Sequence, residues 1–113
     1  MSNDRLLSFL GLCKRAGYLI SGADTVTRAI NEGKALLVLY ASDVSENSLK
    51  GVLKAAQDKN VPAHKLPRTK DELSFALGKH CGIICTTDQG FAKKILTLLE
   101  SDESSPDNSK KID

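Results

Sequence analysis

Two periods of apolar residues run through this chain. From Asp4 to Ala16, Leu6, Leu7, Phe9, Leu10 and Cys13 recur at helical spacing with Arg5, Ser8 and Lys14 between them. That predicts an amphipathic helix ended near Gly17, followed by a very short strand at Tyr18, Leu19 and Ile20. A second helix is predicted to Asn31, with Val26, Ala29 and Ile30 inward and Gly33 closing it. Its start reads as a capping box, with Ser21 as the cap and Asp24 answering from the third helical position.

The run Ala35 to Ala41 is apolar throughout, without alternation. A strand covered on both faces has that pattern, so helices are expected on each side of a sheet. A third helix begins around Glu46 and Asn47, with Leu49, Val52, Leu53 and Ala56 as its stripe. Val61 to Leu66 supplies a short strand whose Pro62 suits an edge. Thr69 and Glu72 make a capping box for a fourth helix, Lys70 to Leu77, stopped at Gly78. Ile83 to Thr86 is the next buried strand, and Thr87 or Asp88 caps a last helix that turns Phe91, Ile95, Leu98 and Leu99 inward. Helices and strands joined by short connections predict an α/β fold, a three-layer α/β/α sandwich with a four-stranded mixed sheet. The domain spans 1–100. Residues 101–113 are too polar to repay the entropy of ordering and are expected to form a disordered acidic tail.

Composition narrows the function. With 113 residues the chain makes one domain, and aromatic residues are only 4% of it. Few rings are on offer for stacking unpaired bases, which turns attention to folded nucleic-acid shapes. The net charge is +2, but the tail holds Asp102, Glu103, Asp107 and Asp113 against Lys110 and Lys111, so the body is more basic than the total. A basic body suits a polyanion. Three cysteines without a CxxC pair argue against a disulfide framework or a structural zinc, and no metal or other cofactor is expected. The polar start and the shortness of the longest apolar run point to a cytoplasmic protein with no membrane partner.

Catalytic constellations are sparse. Ser42, Asp43, Ser45 and Glu46 cluster in one loop and Thr86, Thr87 and Asp88 in another, positions where such residues ordinarily cap helices. No glycine-rich phosphate loop or nucleophile elbow is present, and no enzyme is expected.

A binding surface is the stronger reading. Ser21, Gly22, Ala23, Asp24 and Thr25 open a helix whose first amides have no intrahelical acceptor and can receive a phosphate oxygen. Gly22 presents no side chain to an approaching partner, and Arg28 can reach back over the same end with five donors. Lys14 and Arg15, and Lys79, His80 and Cys81 after the fourth helix, extend the footprint if the fold gathers these ends. The competing reading pairs Arg28 with Asp24 at helical spacing.

The ordered set Gly11-Leu-Cys-Lys-Arg-Ala-Gly-Tyr-Leu-Ile-Ser-Gly22, then Ala41, Ser42, Asp43, Ser45 and Asn47, then Asn60-Val61-Pro62, then Thr87, Asp88 and Gly90 to Ile95 resembles the family of ribosomal protein L7Ae. Members of that family bind kink-turn RNA. The resemblance covers about Leu6 to Leu99. It implies that the start of the second helix and the loop before the last strand grip a sharply bent backbone and its tandem G·A pairs. The RNA-binding pattern has Asn, Glu and Lys where Asp24, Thr25 and Arg28 stand, while Gly22 keeps the glycine. Asp24 exchanges amide donors for a negative charge, and Thr25 removes a carboxylate that accepts from a guanine edge. The expected partner is therefore structured RNA, ribosomal or kink-turn-like, bound by a monomeric accessory protein of the ribosome, with ribosomal proteins as neighbours. The alternative is a protein-interaction adaptor on the ribosome or transcription apparatus.

Overall fold

The computed structural model describes the backbone of residues 4–111 and the side chains of residues 4–100. Its elements, in chain order, are α1 Arg5–Arg15, β1 Leu19–Ser21, α2 Ala23–Asn31, β2 Leu37–Tyr40, α3 Glu46–Asp58, β3 Ala63–Lys65, α4 Lys70–Leu77, β4 Ile83–Thr86 and α5 Gln89–Lys111. The strands form one mixed sheet in the order β1-β4-β2-β3. β4 runs antiparallel to both β1 and β2, and β3 runs parallel to β2 at the far edge. Val61 and Pro62 lie just outside β3, and the Pro62 carbonyl still accepts from the Val38 amide. The edge position leaves proline's missing donor without consequence.

The unbroken apolar run splits its side chains between two layers. Leu37 and Leu39 of β2, with Ile84 of β4, pack under Leu6 and Leu10 of α1, Leu73 and Leu77 of α4, and Ile95 and Leu99 of α5. Val38, Ile83 and Cys85 point the other way, onto Val26 and Ile30 of α2 and Val52 and Ala56 of α3. With apolar layers on both faces there is no polar phase to alternate, which is why the strands read as continuous hydrophobic runs. Thr86 is the one wholly buried polar residue among those described, and its hydroxyl donates to the Tyr18 carbonyl at 3.0 Å.

Caps fix the helix starts. Thr69 and Glu72 form the reciprocal box, Ser45 accepts from the Ser48 amide, and Asp88 accepts from the Phe91 amide at 2.9 Å. Helix α5 continues to Lys111, through most of the stretch expected to form a tail, and the side chains from residue 101 on lie outside the described residues. Among the described residues no helix is long and apolar enough to cross a membrane.

Asp4 caps α1 by accepting from the Leu7 amide, and its carboxylate is also gripped by Arg68, with Nε at 2.7 Å and Nη2 at 3.0 Å. This pair ties the start of α1 to the turn that leads into α4. The Arg68 hydrogen bond holds the Asp4 carboxyl below its ordinary range against the opposing effect of partial burial. A carboxylate whose pKa is depressed by folding stabilises the native state above its unfolded pKa and loses that contribution as pH falls through the folded value. Asp4→Asn is therefore expected to lower unfolding free energy at neutral pH, with the deficit closing below about pH 4. Urea denaturation of both proteins across that range measures the gap, and a pH-independent deficit would show that the amide disturbs packing instead.

Candidate nucleic-acid interface

The turn from β1 into α2 departs from the expected capping box. Ser21 pairs with Ile84 in the β1–β4 ladder, so it cannot turn to cap a helix. The cap falls on Gly22, at φ 101° and ψ 137°, and no side chain caps the helix. Asp24 then occupies the second helical position, one short of the third that a box requires. The Gly22 carbonyl accepts the first intrahelical bond, from the Val26 amide at 2.8 Å. The amides of Ala23, Asp24 and Thr25 precede it, the orphan donors of every helix start. Asp24, Thr25 and Arg28 are exposed, and among the described residues no Asp24–Arg28 ion pair forms.

A backbone bond continues the β1–β4 ladder past Ser21 and joins this turn to the first residue of β4, just after the loop that leads into that strand. The Gly22 amide donates to the Ile83 carbonyl at 2.9 Å, and the Gly82 carbonyl accepts from the Ala41 amide at 2.8 Å. The loop itself is pinned. Gly78 ends α4 in the left-handed region at φ 74°, and the Ser74 hydroxyl takes the Cys81 amide at 3.1 Å while donating to the Cys81 carbonyl at 3.2 Å. Lys79 and His80 project from it into solvent.

Three of the expected interface residues need correction. Ser21 belongs to the ladder, as described. Cys81 turns inward at 6% exposure against the α1/α4/α5 core, so its side chain is structural and unavailable to a partner. Burial pushes its thiol up, against the opposing pull of the Lys79 and Lys14 ammonium groups. Lys14 is exposed near the end of α1, next to Cys13, whose thiol lies against Thr86 at the far end of β4 from that loop. Arg15, one residue on and 100° around the helix, instead lines the groove between α1 and α4 with Phe75. The structure brings the Gly22–Thr25 turn against the start of β4, with Lys79 and His80 exposed in the loop that leads into it and Arg28 exposed one turn further along α2.

The two acidic caps of the enzymatic reading stay apart. Asp43 follows β2 and accepts from the Lys70 amide at 2.7 Å, while Asp88 follows the antiparallel β4, at the opposite end of the sheet, and holds the Phe91 amide. Each carboxylate is engaged by a helix start, so they form no catalytic pair. Among the described residues no group of three His, Cys, Asp or Glu is placed to hold a metal.

The sequence pattern described for the ribosomal protein L7Ae/L30e/S12e/Gadd45 family matches residues 4–96. The RNA-binding protein YlxQ of Bacillus subtilis (strain 168) is 36% identical over 101 residues, covering 88% of this chain and all of that protein. A Bacillus halodurans protein of unknown function superposes with a TM-score of 0.80 at 30% identity, covering 87% of this chain and 99% of the other. The Giardia lamblia 15.5kD RNA binding protein shares the fold, with a TM-score of 0.67 at 21% identity and 92% coverage of each chain. Sandwich, motif order and sequence agree along nearly the whole described length, and the chain belongs to the ribosomal protein L7Ae/L30e/S12e/Gadd45 family.

Proposed function

We propose that this protein is a non-catalytic binder of structured RNA that seats a sharply bent backbone, as in a kink-turn, on the α2 start and the α4–β4 loop. Its setting is that of a ribosome-associated accessory protein. The observation that carries the reading is the Gly22–Ile83 backbone bond, which sets an uncapped helix start against the first residue of β4, just after the loop that bears Lys79 and His80. Unfilled amides receive phosphate oxygens, and the adjacent cations extend the charge over more than one phosphate, as a bent backbone demands. The RNA-binding name carried by the B. subtilis relative supports the same direction. Asp24 works against it, since its carboxylate stands at the mouth of the anion seat.

Titration of a kink-turn and a matched straight duplex tests the proposal. The bent RNA is expected to bind at least about tenfold tighter, a preference that survives moderate salt. Equal affinities that vanish together as salt rises would leave counterion release alone and sink shape-directed recognition. Arg28→Ala is expected to weaken kink-turn binding by about 1–3 kcal/mol and to flatten the salt dependence by about one unit of slope, as for one lost phosphate contact. An unchanged slope would remove Arg28 from the interface.

A further inference from the structure

Phe75 is 91% exposed, the most exposed of the large hydrophobics on the described surface. It flanks a groove of about 460 Å³ between α1 and α4, whose floor is Leu7, Gly11 and Ala76. Gly11 lets the helices approach, since a Cβ there would stand 3.5 Å from the Ala76 carbonyl oxygen. Knob and hole therefore lie side by side on one face. A twofold axis through that face drops each Phe75 into the other copy's groove, the self-complementary arrangement of an isologous dimer.

Charge points to the same occupant. Helices α1 and α4 run in the same direction, because Arg68, just before α4, holds the α1 cap Asp4, and Gly11 meets Ala76 further along. Asp71 and Glu72 sit at the starting end, about one turn before Phe75, and Arg15 lines the finishing end. A polyanion would meet the acids at one end, whereas a second copy reversed by the twofold sets Arg15 of each chain against Asp71 of the other. The reversal also opposes the helix dipoles favourably. We infer that the α1–α4 face, centred on Phe75, is the contact through which two copies of this chain pair, in place of the monomer expected from sequence. Lys14, Gly22 and Lys79 are not needed for that contact and remain open to RNA.

Sedimentation equilibrium of the full chain up to about 1 mM measures the association. Dimer is expected within that range, and Phe75→Ala is expected to weaken it at least about tenfold, as a central aromatic anchor does. Because Phe75 is solvent-exposed, the variant folds, which circular dichroism checks. Arg15→Glu and Asp71→Arg should each be monomeric alone, since each sets like charges across the axis. Mixed, they should pair, because both cross-contacts are then opposite in sign. A wild-type chain that stays monomeric throughout, a Phe75→Ala variant that associates equally, or a mixture that does not pair would overturn the inference. So would a monomer whose RNA affinity falls on Phe75→Ala, which would give this face to RNA.

Discussion

Leu39→Ala is expected to lower unfolding free energy by about 2–5 kcal/mol, measured by urea denaturation. Leu39 is wholly buried on β2, which lies between β4 and β3, and its side chain enters the layer shared by α1, α4 and α5. Truncation removes contacts to that three-helix layer at once, and the sheet beneath cannot move inward because its ladder holds β2 on both sides. The cavity therefore persists, which places the loss above the transfer cost of the missing methyl and methylene groups alone. Each kcal/mol moves the melting temperature by about 4–8 °C in a domain of this size, so the effect is large on either scale. The denaturant slope should not change, since the surface exposed on unfolding is the same. A loss under about 1 kcal/mol would mean that the α1–α4–α5 layer closes over the gap and is less rigidly seated than the packing indicates.

The layers were legible in the sequence because burial on both faces makes Leu37, Val38 and Leu39 apolar in succession, although the apolar run overreached at Leu36, which is exposed ahead of β2. Helix starts were legible where cap and response lie three residues apart, as in Thr69 and Glu72. The start of α2 defeated the same rule. Ser21 and Asp24 have the spacing of a box, but Ser21 answers to Ile84 and Gly22 to Ile83, partners more than sixty residues away that no local pattern contains. The mixed sheet was expected, yet its register and the placing of the Gly22 turn against the start of β4 follow only from that long-range pairing. Cys81 was misplaced for a related reason. It lies in a polar loop by sequence, and only the Ser74 hydroxyl bridging its amide and carbonyl turns the thiol inward. Phe75 did leave a signal. It lies two residues from Leu73 and two from Leu77, half a turn or more off the buried stripe of α4, so helical spacing alone sets it outside the core.

Gly22→Ala is expected to weaken binding of a kink-turn by at least about tenfold and to cost about 1–3 kcal/mol of stability. A Cβ at Gly22 would meet nothing closer than the Thr25 hydroxyl oxygen at 3.7 Å, so the penalty is not a clash. It comes from the backbone, because φ 101° with ψ 137° is a conformation that side chains with a Cβ scarcely adopt. The strain is relieved by swinging the turn. That movement stretches the Gly22–Ile83 bond and carries the Ala23, Asp24 and Thr25 amides away from the loop that bears Lys79 and His80. Gly17→Ala separates the two consequences. Gly17 is also left-handed, at φ 87° with open space around it, but it ends α1 and belongs to no part of the seat. It should lose comparable stability while keeping the RNA affinity of its folded fraction. If Gly17→Ala weakened RNA binding as much as Gly22→Ala, affinity would be following global stability, and the α2 start would lose its place as the anion seat.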